Sequence, residues 1–330
     1  MYLAEVFDKA NRLLSQRRQQ ALVTAQQHRE ELLDKFPQLL ELERRLSQTG
    51  AQLAKASLGG AASRSLLQEI QAKNLDLQSR RDALLTKAGF SPDFLEPPFT
   101  CKSCEDTGYV NGRRCNCFEA LLKTEAYRQI PVPGSREEYS FERFSLEYYA
   151  DAPGSEPLSP RARMGAVLAK CKNYAAEFTP RGESLMMIGR TGLGKTHLSL
   201  AIAGRVIDRG FGVVYTTAQG LIDRAERDKF GRDPQGTDAQ FLRYAQECDL
   251  LILDDLGSEF ITPLASAILF NLINSRLLEQ RRTIISTNLL PDEIQQKYAE
   301  RLVSRLLCGY TMLAFAGEDI RLLKGWNKRR

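Results

Sequence analysis

Apolar residues recur at helical spacing through roughly the first ninety residues and then change pattern. Leu32, Leu33, Phe36, Leu39 and Leu40 share one face of a helix, and Leu66, Leu67, Ile70 and Leu77 repeat that spacing later. Pro37 fits the first turn of a helix, so it predicts a break just before it. Leu58-Gly-Gly-Ala-Ala-Ser63 reads as a loop, with Ser63 as N-cap of the next helix. The polar positions are mostly Gln, Arg and Glu. A long helical hairpin or short coiled coil is expected. Such a pattern suits a self-packed scaffold and a docking surface for another protein equally well.

Residues 91–100 read as a Pro-containing hinge. A second connector, Ile130 to Pro160, carries Pro131, Pro133, Gly134, Pro153, Gly154, Pro157 and Pro160. Within it, Tyr139-Ser-Phe-Glu-Arg-Phe144 is aromatic and serves to pack against the next domain or to sit near a bound base; packing is the simpler role. From Arg161 onward, short apolar runs alternate with helical patterns. The expected strands are Ser184–Ile188, Gly212–Thr216, Leu250–Asp254, Thr283–Thr287 and Thr311–Phe315, with a helix over Thr262–Gln280. This alternation predicts a parallel sheet covered by helices on both faces. The expected parts are a helical region over 1–90, a cysteine module over 91–125, a linker over 126–160 and an α/β domain over 161–330.

Composition adds boundaries rather than a class. The net charge of +5 over 330 residues is compatible with nucleic acid but does not require it. The basic excess at Lys324 and Lys328–Arg330 serves as solvated charge or as a DNA contact. No apolar run reaches the length of a membrane span. Glu5 and Asp8 interrupt the apolar start, so the first residues do not read as a secretory leader. A cytoplasmic protein with no membrane partner is expected.

Four of the seven cysteines are crowded into Cys101-Lys-Ser-Cys104 and Cys115-Asn-Cys117. Paired cysteines on tight turns supply two ligands each to a tetrahedral Zn²⁺. Gly108 and Asn111-Gly112 provide the turn between them. The second pair departs from the commoner Cys-x-x-Cys spacing, and redox chemistry is the alternative reading. With four protein ligands there is no open position, so a structural zinc is expected. Cys171, Cys248 and Cys308 stand alone, and buried thiols are expected there.

The strongest chemical signal is Gly189-Arg190-Thr191-Gly192-Leu193-Gly194-Lys195-Thr196, followed by His197. It lies between an apolar strand and an apolar helix, the context that a Walker A phosphate loop requires. Its glycines let backbone N–H groups curl around an anion at the positive end of a helix. Lys195 would reach the β- and γ-phosphates of ATP, and Thr196 would ligate Mg²⁺. Leu250–Asp254-Asp255 is an apolar strand ending in two carboxylates, a Walker B pattern. Asp254 would hold Mg²⁺ through water and Asp255 would orient the attacking water. Asn288 ends a further apolar strand, where it would position water near the γ-phosphate or act as a turn residue before Pro291. Arg301 and Arg305 share one helix face. Each either pairs with a surface carboxylate or projects into a neighbour's phosphate site.

Walker A, the Asp254–Gly257 Walker B, Ser286-Thr-Asn288 and Glu300-Arg-x-x-x-Arg305 together resemble AAA+ proteins of the bacterial helicase-loader type. IstB-type transposition ATPases share that core. The segment Cys101–Tyr109 after a helical N-terminus is similar to the DnaI-like branch. The AAA+ resemblance covers roughly Tyr139 to Arg321. It implies an AAA+ P-loop NTPase fold with a central parallel sheet, preceded by the helical and zinc modules. It implies Asn288 as sensor 1, Arg305 as an arginine finger and Arg321 as a sensor 2 arginine. It further implies a replicative hexameric DNA helicase and single-stranded DNA as partners, and ATP-dependent self-association. The stretch Ala218–Phe230 takes the place of a DNA-engaging insert; Arg224, Arg227 and Lys229 there would be phosphate contacts or plain solvated charge. Asp255 stands where many AAA+ proteins carry Glu, which implies slow hydrolysis. An IstB-type helper delivering a transposase to target DNA is the alternative within the same fold.

Overall fold

The structure, a computed structural model, describes residues 2–58, 64–131, 136–152 and 157–327. The loop before Ser63 and its cap, the connector positions Pro133, Gly134, Pro153 and Gly154, and the tail Lys328–Arg330 lie outside the described residues. The chain divides into two compact units, Asn11–Glu119 and Met1–Ala10 with Ala120–Arg330.

The first unit is built on three helices, α1 (Ala4–Lys35), α2 (Pro37–Leu58) and α3 (Arg64–Lys87). Pro37 opens α2, as its missing N–H allows. α2 and α3 run antiparallel: Asn74 donates to Thr49 Oγ1 at 2.8 Å, and Arg81 faces Glu43. Leu32, Leu39, Leu85 and Leu95 form a small core with Phe90 and Phe94. Phe36 and Leu40, expected on the buried face, are largely exposed. The chain breaks between α1 and α2, so one helical period does not carry across Pro37.

The cysteine module follows as a hairpin of β1 (Tyr109–Val110) and β2 (Arg113–Arg114), antiparallel, with Asn111 and Gly112 at positive φ in its turn. This hairpin was not among the expected strands; two residues a side give no alternation to read. Helix α4 (Asn116–Arg128) comes next.

The second unit holds three short 3-10 turns over Arg136–Tyr139, Phe141–Arg143 and Leu146–Tyr148, then an α/β domain. Its elements are α5 (Pro160–Ala176), β3 (Leu185–Ile188), α6 (Lys195–Asp208), β4 (Val213–Thr217), α7 (Ala218–Lys229), α8 (Thr237–Glu247), β5 (Leu250–Leu256), α9 (Pro263–Leu278), β6 (Arg282–Thr287), α10 (Pro291–Lys297), α11 (Glu300–Gly309), β7 (Thr311–Ala314) and α12 (Ile320–Asn327). All five long strands fall within a residue or two of their expected positions. They form one parallel sheet in the order β4-β5-β6-β3-β7. β3 therefore sits between β6 and β7, and the connections leaving β3 and β6 run in opposite directions. That is a topological switch point, where open α/β sheets bind ligands at the strand C-termini.

Strands β3 to β6 are buried almost throughout because both faces are covered, whereas the edge strand β7 is exposed at three of its four positions. Thr217 caps α7 through Gly220 N–H, and Thr262 caps α9 through Ala265 N–H with Pro263 at its first position. Cys171 and Cys248 are buried as expected, but Cys308 is exposed. It lies on α11, whose buried face is Leu302, Val303 and Leu306, so residue 308 falls on the opposite side. Among the described residues no helix is long and apolar enough to cross a membrane.

Candidate nucleotide site and metal centre

β3 ends at Ile188, and the glycine-rich loop carries the chain into α6 at Lys195. Gly192 sits at φ +75°, and a Cβ there would lie 1.9 Å from the Asp319 carboxylate. Only glycine lets the loop lie this close to the C-terminal segment, which is fixed in turn by Ile320 N–H donating to Gly192 O at 3.1 Å. Tyr149, fully buried, donates its hydroxyl to Leu193 O at 2.9 Å from the other side. His197 bonds Ser140 O at 2.8 Å and packs against the rings of Tyr139 and Phe144. The aromatic segment Tyr139–Phe144 therefore packs on the loop and also lines the cavity beside it.

That cavity is about 570 Å³ and is lined by Thr191 through His197, Asp254, Asp255 and Arg321, and also by Tyr215 and Ser286. Its depth is organised around Asp254, which is buried. Thr196 Oγ1 donates to Asp254 Oδ2 at 2.9 Å, Tyr215 OH donates to the same oxygen at 2.6 Å, and Ser286 Oγ donates to Oδ1. Burial and the neighbouring Asp254 carboxylate push the Tyr215 phenol well above its ordinary range, so it remains a donor. Asp255 follows at φ +57°, a left-handed conformation that costs a non-glycine residue energy. A register shift between Leu253 and Leu256 accommodates it, and Ser286 Oγ accepts its backbone N–H at 2.9 Å. Ser286 thus holds both carboxylate residues with one hydroxyl.

Lys195 is buried, with Nζ donating to Gly189 O and to Arg190 O, the latter at 2.7 Å. Desolvation lowers its pKa, opposed by Asp254 and Asp255. The set of loop glycines, one ammonium, a hydroxyl and a carboxylate oxygen within 2.9 Å suits a Mg²⁺–triphosphate: hard oxygen ligands for the cation, N–H groups and Lys195 for the anion.

The other expected residues fall into two groups. Arg321 lines the cavity. Asn288 and Arg305 do not. Asn288 is exposed just past the end of β6, while Ser286, two residues earlier, faces the cavity. Arg305 is exposed on α11, and no ion pair or hydrogen bond of its side chain occurs among the described residues. Arg301, one turn earlier, stacks on Phe270 at 4.6 Å. Arg224 and Arg227 both pair with the buried carboxylate of Asp238, at 3.0 and 2.7 Å, and Arg224 also covers Phe241. They join α7 to α8, with Arg227 and Lys229 both exposed. Tyr215 and Ser286 escaped sequence reasoning. Ser286 lies inside the Ser-Thr-Asn run but was overshadowed by Asn288; Tyr215 carries no motif, only its place at a strand C-terminus.

In the first unit the sulfur atoms of Cys101, Cys104, Cys115 and Cys117 all lie within 4.8 Å of one another. Cys101 and Cys115 are 3.7 Å apart and Cys104 and Cys117 3.4 Å apart. The edge of a tetrahedron with Zn–S bonds of about 2.3 Å is roughly 3.8 Å, so the four thiols fit that ion. Backbone N–H groups draw the Cys101 thiol down to about 7, while burial and the other thiols push Cys117 up. A divalent cation at the centre would hold all four as thiolates. Asp106, buried, accepts from the N–H groups of Thr100 and Cys101 and so fixes the first knuckle.

The IstB-like ATP binding protein family matches residues 166–324, the segment that contains every element of the cavity except the aromatic connector. This segment therefore resembles the ATP-binding domain of that family. The replicative helicase loader DnaC of Escherichia coli strain K12 is 28% identical over 145 residues, 44% of this chain and 58% of that protein. The chain thus spans less than two thirds of the length of that relative. DnaC of Buchnera aphidicola from Schizaphis graminum is 26% identical over 59% of this chain and 75% of its own. A crystal structure of the DnaC helicase loader aligns with 53% of this chain and 98% of its own at 22% identity and a TM-score of 0.44.

Proposed function

We propose that this chain is a cytoplasmic ATP-dependent loader of a replicative hexameric DNA helicase onto single-stranded DNA, with ATP acting as its assembly switch. The observation that carries the reading is the division of labour in the α/β domain. Asp254, Thr196, Lys195 and Arg321 converge on one cavity, while Arg305 is exposed and unpaired on a separate helix. An arginine so placed has no work in its own site and is free to enter a neighbour's. The similarity to replicative helicase loaders supports the choice of cargo.

In this reading the loop Gly189–His197 wraps the phosphates and Lys195 leaves its loop carbonyls to meet them. Thr196 and Asp254 would hold Mg²⁺, which when bound would supply neutralisation of charge on the phosphates. Ser286 and Tyr215 keep Asp254 aimed through their hydroxyls. Asp255 orients the attacking water, Asn288 assists from the end of β6, and Arg321 holds the nucleotide from the C-terminal segment. Arg305 of a neighbouring subunit stabilises transition-state charge. The Asp255 side chain is one methylene shorter than Glu, so turnover is slow. The helical region 1–90 and the zinc module 91–125 grip the helicase; 126–160 links them to the ATPase, 161–330.

A second reading, a helper ATPase delivering a transposase to target DNA, is favoured by the IstB-like family match itself. Affinity capture of the full chain from its own cells, with and without ATP, separates them. The loader reading expects a hexameric helicase; a transposase in its place would establish the second reading.

A further inference from the structure

The loop that leaves the Walker B strand is fastened to the end of α10, just before the helix that carries Arg305, and the fastening is built on a buried carboxylate. Gly257 sits at φ +105°, where a Cβ would lie 2.7 Å from Leu289, so the loop turns tightly under the end of β6. Two residues on, Glu259 is only 3% exposed. Its Oε2 accepts Gly257 N–H at 2.7 Å, and its Oε1 accepts the hydroxyl of Tyr298, itself 4% exposed. Lys297 Nζ donates to Gly257 O, a second tie between the same two segments. Among the described residues Glu259 has no ion pair. A buried carboxylate held by one hydroxyl and one amide is costly to desolvate and gains nothing in apolar packing.

The geometry shows what the arrangement fixes. Glu259 lies four residues beyond Asp255, in the loop that follows β5, and Tyr298 lies two residues before Glu300, where α11 begins. Ala299 at the N-cap of α11 offers no side-chain cap, so Tyr298 just before it supplies a side-chain tie near the start of the helix. The buried face of α11 is purely apolar, Leu302, Val303 and Leu306, so it offers no polar tie of its own. Arg301 rests on Phe270, and Arg305 projects outward one turn later.

We propose that Glu259 and Tyr298 are positioning residues that lock the Arg305 helix to the chain's own Walker B loop. Each subunit's arginine is thereby held at a fixed offset from its own hydrolytic carboxylate. This rests on the reading that Arg305 completes a neighbour's site. A misplacement of about 1 Å in a catalytic group costs about a hundredfold in rate. Loss of the lock therefore lowers the turnover supplied by a neighbour without touching the subunit's own nucleotide site.

Tyr298→Phe removes the hydroxyl and keeps the ring. The double variant Glu259→Gln with Tyr298→Phe removes the buried charge as well, and guards against a misfolded single variant. Both should bind ATP with wild-type affinity, measured by calorimetry. Both should lose tenfold to a hundredfold, approximately, of the rise in ATPase activity with protein concentration. Mixing decides the site of action. Tyr298→Phe mixed with Lys195→Ala, which has an intact finger, should regain activity. Mixed with Arg305→Ala, which has no finger, it should not. Full concentration-dependent activity in both variants, or rescue by Arg305→Ala in place of Lys195→Ala, would overturn the lock. If Arg305→Ala alone retains full activity at every concentration, the neighbour-completed site itself fails, which is a separate result.

Discussion

Ser286 is the residue on which the hydrolytic end of the sheet depends most, and Ser286→Ala tests that directly. The side chain is 1% exposed; its hydroxyl donates to Asp254 Oδ1 and accepts the backbone N–H of Asp255. Alanine fills almost the same space, so no cavity penalty enters. What is lost is a hydrogen bond to a charged group, about 1.5–3 kcal/mol, and a partner for the part-buried N–H of Asp255, about 1 kcal/mol. Thr196 and Tyr215 still serve the other carboxylate oxygen. Some relaxation of Asp255 from φ +57° returns part of the cost. The net expectation is about 2–4 kcal/mol of destabilisation, read as a lower urea midpoint at unchanged slope. Turnover should fall about a hundredfold because Asp255 is no longer held in place. Asn288→Ala is the control: an exposed residue, it should change stability by less than about 0.5 kcal/mol while still lowering turnover. A Ser286→Ala protein with unchanged midpoint and turnover would refute the assignment of both bonds.

Other outcomes follow from the same geometry. Lys195→Ala should abolish measurable ATP binding in calorimetry while leaving the cooperative unfolding transition in place. Asp255→Asn should retain Mg²⁺–ATP but stop hydrolysis, whereas Asp254→Asn should weaken Mg²⁺-dependent binding; identical phenotypes would remove the division of roles. Elemental analysis should find about one zinc per chain, falling to near zero in Cys104→Ser. A metal-free protein with a normal fold and normal partner capture would remove the zinc centre.

The strands of the ATPase domain were legible because each is a short apolar run closed by polar residues, and a parallel sheet buried on both faces makes such runs distinct. Walker A and Walker B were legible because phosphate and Mg²⁺ demand particular groups in a fixed order along the chain. Tyr215, Ser286, Glu259 and Tyr298 were not. Their roles arise from contacts between residues 32 to 39 positions apart, and a hydroxyl in a strand has no periodic signature. Arg224 and Arg227 show the opposite error. Their charge was visible, but the carboxylate of Asp238 that consumes it lies on the next helix. In the helical region, apolar spacing identified the helices but misjudged Phe36 and Leu40, because periodicity was read across the break at Pro37.

In the proposed function, ATP in the Lys195 site drives placement of a helicase on DNA. The most direct measurement counts helicase hexamers retained on closed circular single-stranded DNA after free protein is washed away. Retention should require this chain and ATP together, and should fall to the helicase-alone level with Lys195→Ala. Retention that is the same with and without the chain, or that persists undiminished with Lys195→Ala, would contradict the account.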